Sequence, residues 1–126
     1  MGAVRFEVTD ADTATALGSG DVPVLATPRL IAWMEAATVE AAAQFVRAGQ
    51  TTVGTAVRIQ HRRPTSVGGS VEVIAESSSS PSGRQLTFAV KAFDGLQELV
   101  AIGEIDRAIV DRERFLGTTS GQGSDR

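Results

Sequence analysis

The chain has no cysteine and only one histidine, and these two scarcities remove whole classes of chemistry. Without cysteine there is no disulfide, no thiolate metal site and no thiol nucleophile. A lone imidazole with scattered carboxylates does not make a metal centre, so no metal is expected. No apolar run approaches the roughly 20 residues that cross a bilayer, which argues against a membrane span. Met1 to Phe6 has neither the charged leader nor the apolar segment of a signal peptide, so a cytoplasmic location is expected. No glycine-rich loop follows a strand and opens a helix, and a nucleotide-driven enzyme is therefore not expected. Positive charge is not in excess either: 12 Lys and Arg against 15 Asp and Glu leave a net charge of −3. That balance gives no general attraction to nucleic acid.

What is present fits one domain. A length of 126 residues allows a single core, and a hydrophobic content of 42% with 21% charged residues is ordinary for a globular protein. The domain is expected over residues 1–116, and the Gly/Ser/Thr-rich segment 117–126 is expected to be a disordered tail. No internal repeat is visible.

Residues 27–46 organise the rest of the chain. Thr27 suits a helix cap, Pro28 suits the first helical position, and Gly49 supplies a stop. Helical spacing collects Leu30, Ile31, Met34, Thr38, Val39, Ala41, Ala42, Phe45 and Val46 on one apolar arc, with Arg29, Glu40, Gln44 and Arg47 opposite. Glu35 breaks the pattern, because it lies inside the arc with Ile31 and Val39 one turn to either side. A carboxylate on a packing face costs several kcal/mol, as a rough figure, unless it is paired, hydrogen-bonded or neutralised. Glu35 either sits at the edge of that face, pairs with a buried arginine, or has work to do there.

Strands surround this helix. Residues 4–8 alternate apolar and polar, and residues 9–23 read as a loop made mobile by Gly18-Ser19-Gly20. After Gly49, strands are expected at about 53–62, 71–76, 86–93 and 98–110, with a turn at Asp94-Gly95 and a bulge or bend at Gly103. Short connections predict that successive strands are antiparallel neighbours. One strand, one long helix and four further strands make an α+β fold in which a curled antiparallel sheet of about five strands wraps the helix, the hotdog layout.

His61 lies on the Val57/Ile59 side of its strand, the side expected to meet the helix. A lone histidine there is more often a satisfied core residue. Glu35, however, is a second ionisable group that points independently at the same layer. Thr27 adds a hydroxyl at the helix entrance, where a plain N-cap is an equal reading. Eight residues of helix rise roughly 12 Å, so Thr27 and Glu35 of one chain cannot touch directly. Either the chain bends, a substrate lies between them, or two subunits share a pocket.

Ala26-Thr27 opening the helix, Met34-Glu35 within it, and Val53-Gly54-Thr55-Ala56 leading to His61 resemble the fluoroacetyl-CoA thioesterase branch of hotdog acyl-CoA thioesterases. The closing run from Gly103 to Val110 resembles the last strand of that branch. The resemblance implies a homodimer or larger homo-oligomer that hydrolyses an acyl-CoA thioester at pockets between subunits, with coenzyme A as part of the substrate and no cofactor. It makes Thr27, Glu35 and His61 the catalytic candidates and places Gly54 beside the acyl group. Basic side chains are then expected at the pocket mouth for the CoA phosphates, and Arg62, Arg63 and Arg107 are the candidates. The fluoroacetate-specific member has phenylalanines in the lid before the helix, where this chain reads Gly18-Ser19-Gly20-Asp21, so fluoroacetyl-CoA is not the expected substrate. The alternative is a non-catalytic hotdog protein that binds acyl-CoA or a related small ligand.

Overall fold

Period-two alternation yields five strands in the computed structural model, which describes residues 1–78 and 81–124. They are β1 (Gly2–Glu7), β2 (Gln50–His61), β3 (Ser70–Ser77), β4 (Gln85–Asp94) and β5 (Leu99–Asp111). The helices are α1 (Ala14–Leu17), α2 (Thr27–Ala42) and α3 (Arg112–Ser124), and a 3-10 turn at Ala43–Phe45 continues α2. The α+β hotdog layout expected from the pattern is the one observed. All pairings are antiparallel, in the order β1-β3-β4-β5-β2.

That order corrects one expectation. β2 and β3 follow each other in sequence but are not neighbours; β2 pairs with the last strand and forms an edge. Three strand spacings, roughly 14 Å, separate them. The connection through Pro64 and Gly68 is long enough to cross the end of the sheet, so its length did not force a hairpin.

The core forms where α2 meets the concave face of the sheet. Leu30, Trp33, Met34, Ala37 and Ala41 are buried there against Val71, Val73, Phe88 and Val90. Trp33 stacks on Phe6 with ring centroids 4.5 Å apart. Gly2 lets β1 lie directly on the helix, because a Cβ at that position would meet the carbonyl of Ala37. The buried stripe is therefore rotated from the expected arc toward Trp33 and Ala37. Val39 is 51% exposed, and the row Ile31, Glu35, Val39 forms the margin of the packed face. The sheet covers α2 mainly with β1 and β3, which leaves that margin and the inner surface of β2 only partly covered.

Two further details depart from the sequence pattern. Thr55 is an extra residue in β2: Gly54 pairs with Arg107 and Ala56 with Asp106, so the ladder slips by one between them. Gly103, expected to be a bulge or a bend, is not a bulge: it pairs regularly with Ile59 and Val90. It is needed for close approach, since a Cβ there would strike the Arg58 carbonyl. At the C-terminus the segment expected to be disordered is helical as far as Ser124, and residues 125–126 lie outside those described. Helix formers from Arg112 to Leu116 nucleate that helix, and extension past a nucleus costs far less than starting one. Of the polar connection after β3, residues 79 and 80 also lie outside the described chain.

Candidate active site

The entrance of α2 is capped by Ala26, which has no side chain to contribute, so Thr27 is not the N-cap that the sequence allowed. Its hydroxyl turns to the end of β2 instead, where Thr27 Oγ1 lies 2.8 Å from His61 Nδ1. The hydroxyl donates when Nδ1 is unprotonated. The other ring nitrogen, Nε2, is buried with no hydrogen-bond partner among the described residues. Burial holds the imidazole below its ordinary pKa of 6.5, and the nearby backbone of Arg63 offsets this only in part. Desolvation thus favours the neutral ring, the form that accepts a proton.

Thr27 and His61 border a cavity of about 280 Å³. Arg62 and Arg63 line it on one side, and Ser19, Gly20 and Val22 from the segment before α2 line the other. Arg63 pairs with Glu98, and Arg62 donates to Gln60. Both side chains are exposed. The segment over the cavity includes α1, capped by Thr13 and ended by Gly18 at φ 71°. It is tied to α2 by an Asp12–Arg29 ion pair at 3.0 Å.

Glu35 does not line this cavity. It lies two turns further along α2, with Oε2 3.6 Å from Nη1 of Arg107, an ion-pair distance too long for a hydrogen bond. Gly54 lies under that carboxylate: a Cβ there would come within 2.6 Å of Oε2. Arg107 is only 6% exposed and is not among the residues that line the cavity beside Thr27 and His61. It points inward because it pairs across the ladder with Gly54, on the helix side of β5. Thr52 holds it there, taking a hydrogen bond from Nε on its hydroxyl (2.9 Å) and from Nη2 on its carbonyl (3.1 Å). Burial lowers the guanidinium's pKa, and Glu35 works against that shift.

The bulge at Thr55 explains how one strand serves both places. Gly54 and His61 are seven residues apart, an odd interval that would put them on opposite faces of a regular strand. The extra residue restores the parity, so both face the helix. The pattern of alternation could not reveal this. Thr52 and its grip on Arg107 were also missed, because a threonine in a strand carries no distinguishing signal.

Residues 8–113 match the family model described as fluoroacetyl-CoA-specific thioesterase. The chain belongs to that family. A fluoroacetyl-CoA thioesterase of Streptantibioticus cattleyicolor is 37% identical over 92 residues, which span 73% of this chain and 65% of that relative's length. Among solved structures, a mutant of the fluoroacetyl-CoA-specific thioesterase FlK, crystallised with fluoroacetate and CoA, superposes with a TM-score of 0.87 at 30% identity. That likeness covers 97% of this chain and 98% of the FlK chain. A thioesterase-superfamily member from Thermus thermophilus superposes at 0.90 with 22% identity, over 98% of this chain and 90% of that one, and bears on the fold alone.

Proposed function

We propose that the protein hydrolyses an acyl-CoA thioester to the free acid and CoA. The reaction would take place in a cleft built by Thr27 and His61 of one subunit and Glu35 of the partner subunit. The observation that carries this reading is the 2.8 Å contact between the Thr27 hydroxyl and His61 Nδ1 at a cavity wall, in a chain of a thioesterase family. A hydroxyl beside a desolvated, neutral imidazole is an activated nucleophile. His61 takes the hydroxyl proton as Thr27 Oγ1 adds to the thioester carbonyl, and returns it to the departing CoA thiolate. Water then cleaves the acyl-threonine, giving its proton to His61, which passes it to Thr27 Oγ1 as the free acid leaves. No side chain caps the first turn of α2, so its N–H groups other than at Pro28, which has none, can serve the carbonyl oxygen.

Glu35 fits this scheme as the group that directs the water, provided that a second subunit brings it. The features of one subunit favour such pairing. β2 is an edge strand with an unpaired side, and beside it Val57 (40% exposed) and Val39 (51%) leave apolar surface uncovered. A two-fold axis across β2 would cover both and lay the Glu35 region of one copy toward His61 of the other. Arg62 and Arg63 at the cavity wall suit the phosphates of CoA.

A thiol-release assay on acetyl-, fluoroacetyl-, aromatic and medium-chain acyl-CoA tests the proposal. Turnover of at least one ester is expected. Saturable binding of all four without release of CoA would overturn it in favour of a binding protein.

A further inference from the structure

The Arg107 cluster is built more rigidly than a surface ion pair requires. Its guanidinium is buried, and two of its three nitrogens are committed to Thr52, through hydroxyl and carbonyl. The third, Nη1, is also buried and makes no hydrogen bond among the described residues, yet it faces Glu35 Oε2 at 3.6 Å. The carboxylate in turn occupies the space that any side chain at Gly54 would fill. Glu35 itself is 39% exposed on its side chain, so the carboxylate that faces Arg107 is also within reach of solvent.

We infer that Arg107 is a positioning residue: clamped by Thr52, it holds the Glu35 carboxylate over the gap left by Gly54 with its free edge turned to the reacting water. This rests on the thioesterase reading above and extends it, because it assigns Arg107 to the carboxylate and not to the phosphates of CoA. A buried cation with two of its nitrogens fixed by a neighbouring residue has little freedom to follow a ligand. What it can do is fix an anion beside it. Misplacing a reacting group by about 1 Å is enough to cost on the order of 10²-fold in rate.

The experiment is a double-mutant cycle on the full-length protein, with kcat and KM measured separately. Arg107→Met is expected to lower kcat about 10- to 100-fold with little change in KM, and Arg107→Lys to recover part of that loss. In a Glu35→Gln background Arg107→Met should cost nothing further, since the group through which it acts is already gone. Gly54→Ala leaves the buried arginine in place and is the second variant in case Arg107→Met fails to fold. It too should lower kcat in wild type and be silent in Glu35→Gln. Additive losses, or a rise in KM with kcat unchanged, would overturn the inference and return Arg107 to substrate binding. The carboxyl ¹³C resonance of Glu35 in the free protein gives a readout that needs no turnover. It should move in Arg107→Lys, and an unmoved resonance would also refute the inference. Absence of thiol release by wild type would instead count against the proposed function.

Discussion

Thr27 and His61 meet directly at the entrance of α2 and border open space, whereas Glu35, two turns along the same helix, meets the buried Arg107. The first region has a hydroxyl and a base but no carboxylate; the second has a carboxylate but no imidazole. A rise of roughly 12 Å along the helix separates them, and along β2 the interval from Gly54 to His61 is about 20 Å. Each region therefore lacks what the other holds. Under the proposed mechanism they act as two half-sites, and a two-fold copy would join one half to the other.

Removing the chemistry of the first region should have the largest effect. His61→Ala is expected to lower kcat by about 10²- to 10⁴-fold, the usual worth of a positioned proton acceptor. Thr27→Ala should fall in the same range and Thr27→Ser well short of it, because serine keeps the hydroxyl. The far-ultraviolet circular dichroism and thermal midpoint should barely move in the threonine variants, as that side chain is exposed at a helix end. A Thr27→Ala protein with full activity would leave the entrance of α2 as mere packing and shift the chemistry to the Glu35 region alone.

Joining the halves gives a second effect, smaller but more discriminating. His61→Ala and Glu35→Ala proteins should each be nearly inactive, yet unfolding and refolding them together should restore activity. With random pairing half of the dimers are mixed, and each mixed dimer keeps one intact site of two, so about a quarter of the wild-type rate is expected. If Glu35 and His61 of the same chain acted together, every site in the mixture would carry a lesion and nothing would return. Sedimentation equilibrium on the mixture confirms that paired species are present before the rate is read.

How much of this was legible in the sequence depends on which kind of regularity each feature obeyed. Helix α2, its proline at the first turn and the alternating strands follow local periodicity, and the α+β layout could be read from them. Strand order was less accessible, because pairing β2 with β5 depends on long-range fit at Gly103 and not on connection length. Glu35 was conspicuous as a charge among apolar neighbours. Its uncovered stripe, however, follows from which strands lie over the helix, which no local pattern encodes. The face shared by Gly54 and His61 was hidden by a single unpaired residue, Thr55. Arg107 looked like any strand-end arginine until its pairing with Gly54 turned it inward.

The smallest effect concerns pH, and it separates the two halves by their solvation. Burial lowers the pKa of His61 below its ordinary 6.5, so the proton-accepting form persists into mildly acidic solution. The acidic limb of kcat/KM, which reports the free enzyme, is therefore expected below pH 6.5. Stability has the same sign. A folded state that binds its proton less readily than the unfolded chain keeps its full contribution above pH 6.5 and loses it as pH falls through the lower folded value. Because the chain has one histidine, a single imidazole C–H resonance reports this group without assignment by mutation. A titration midpoint at or above 6.5 would mean that water reaches the ring freely, and a solvated imidazole at the cavity wall would no longer explain why Thr27 turns toward it. A midpoint that falls further on self-association would show a second copy closing over His61, as the proposed shared cleft requires.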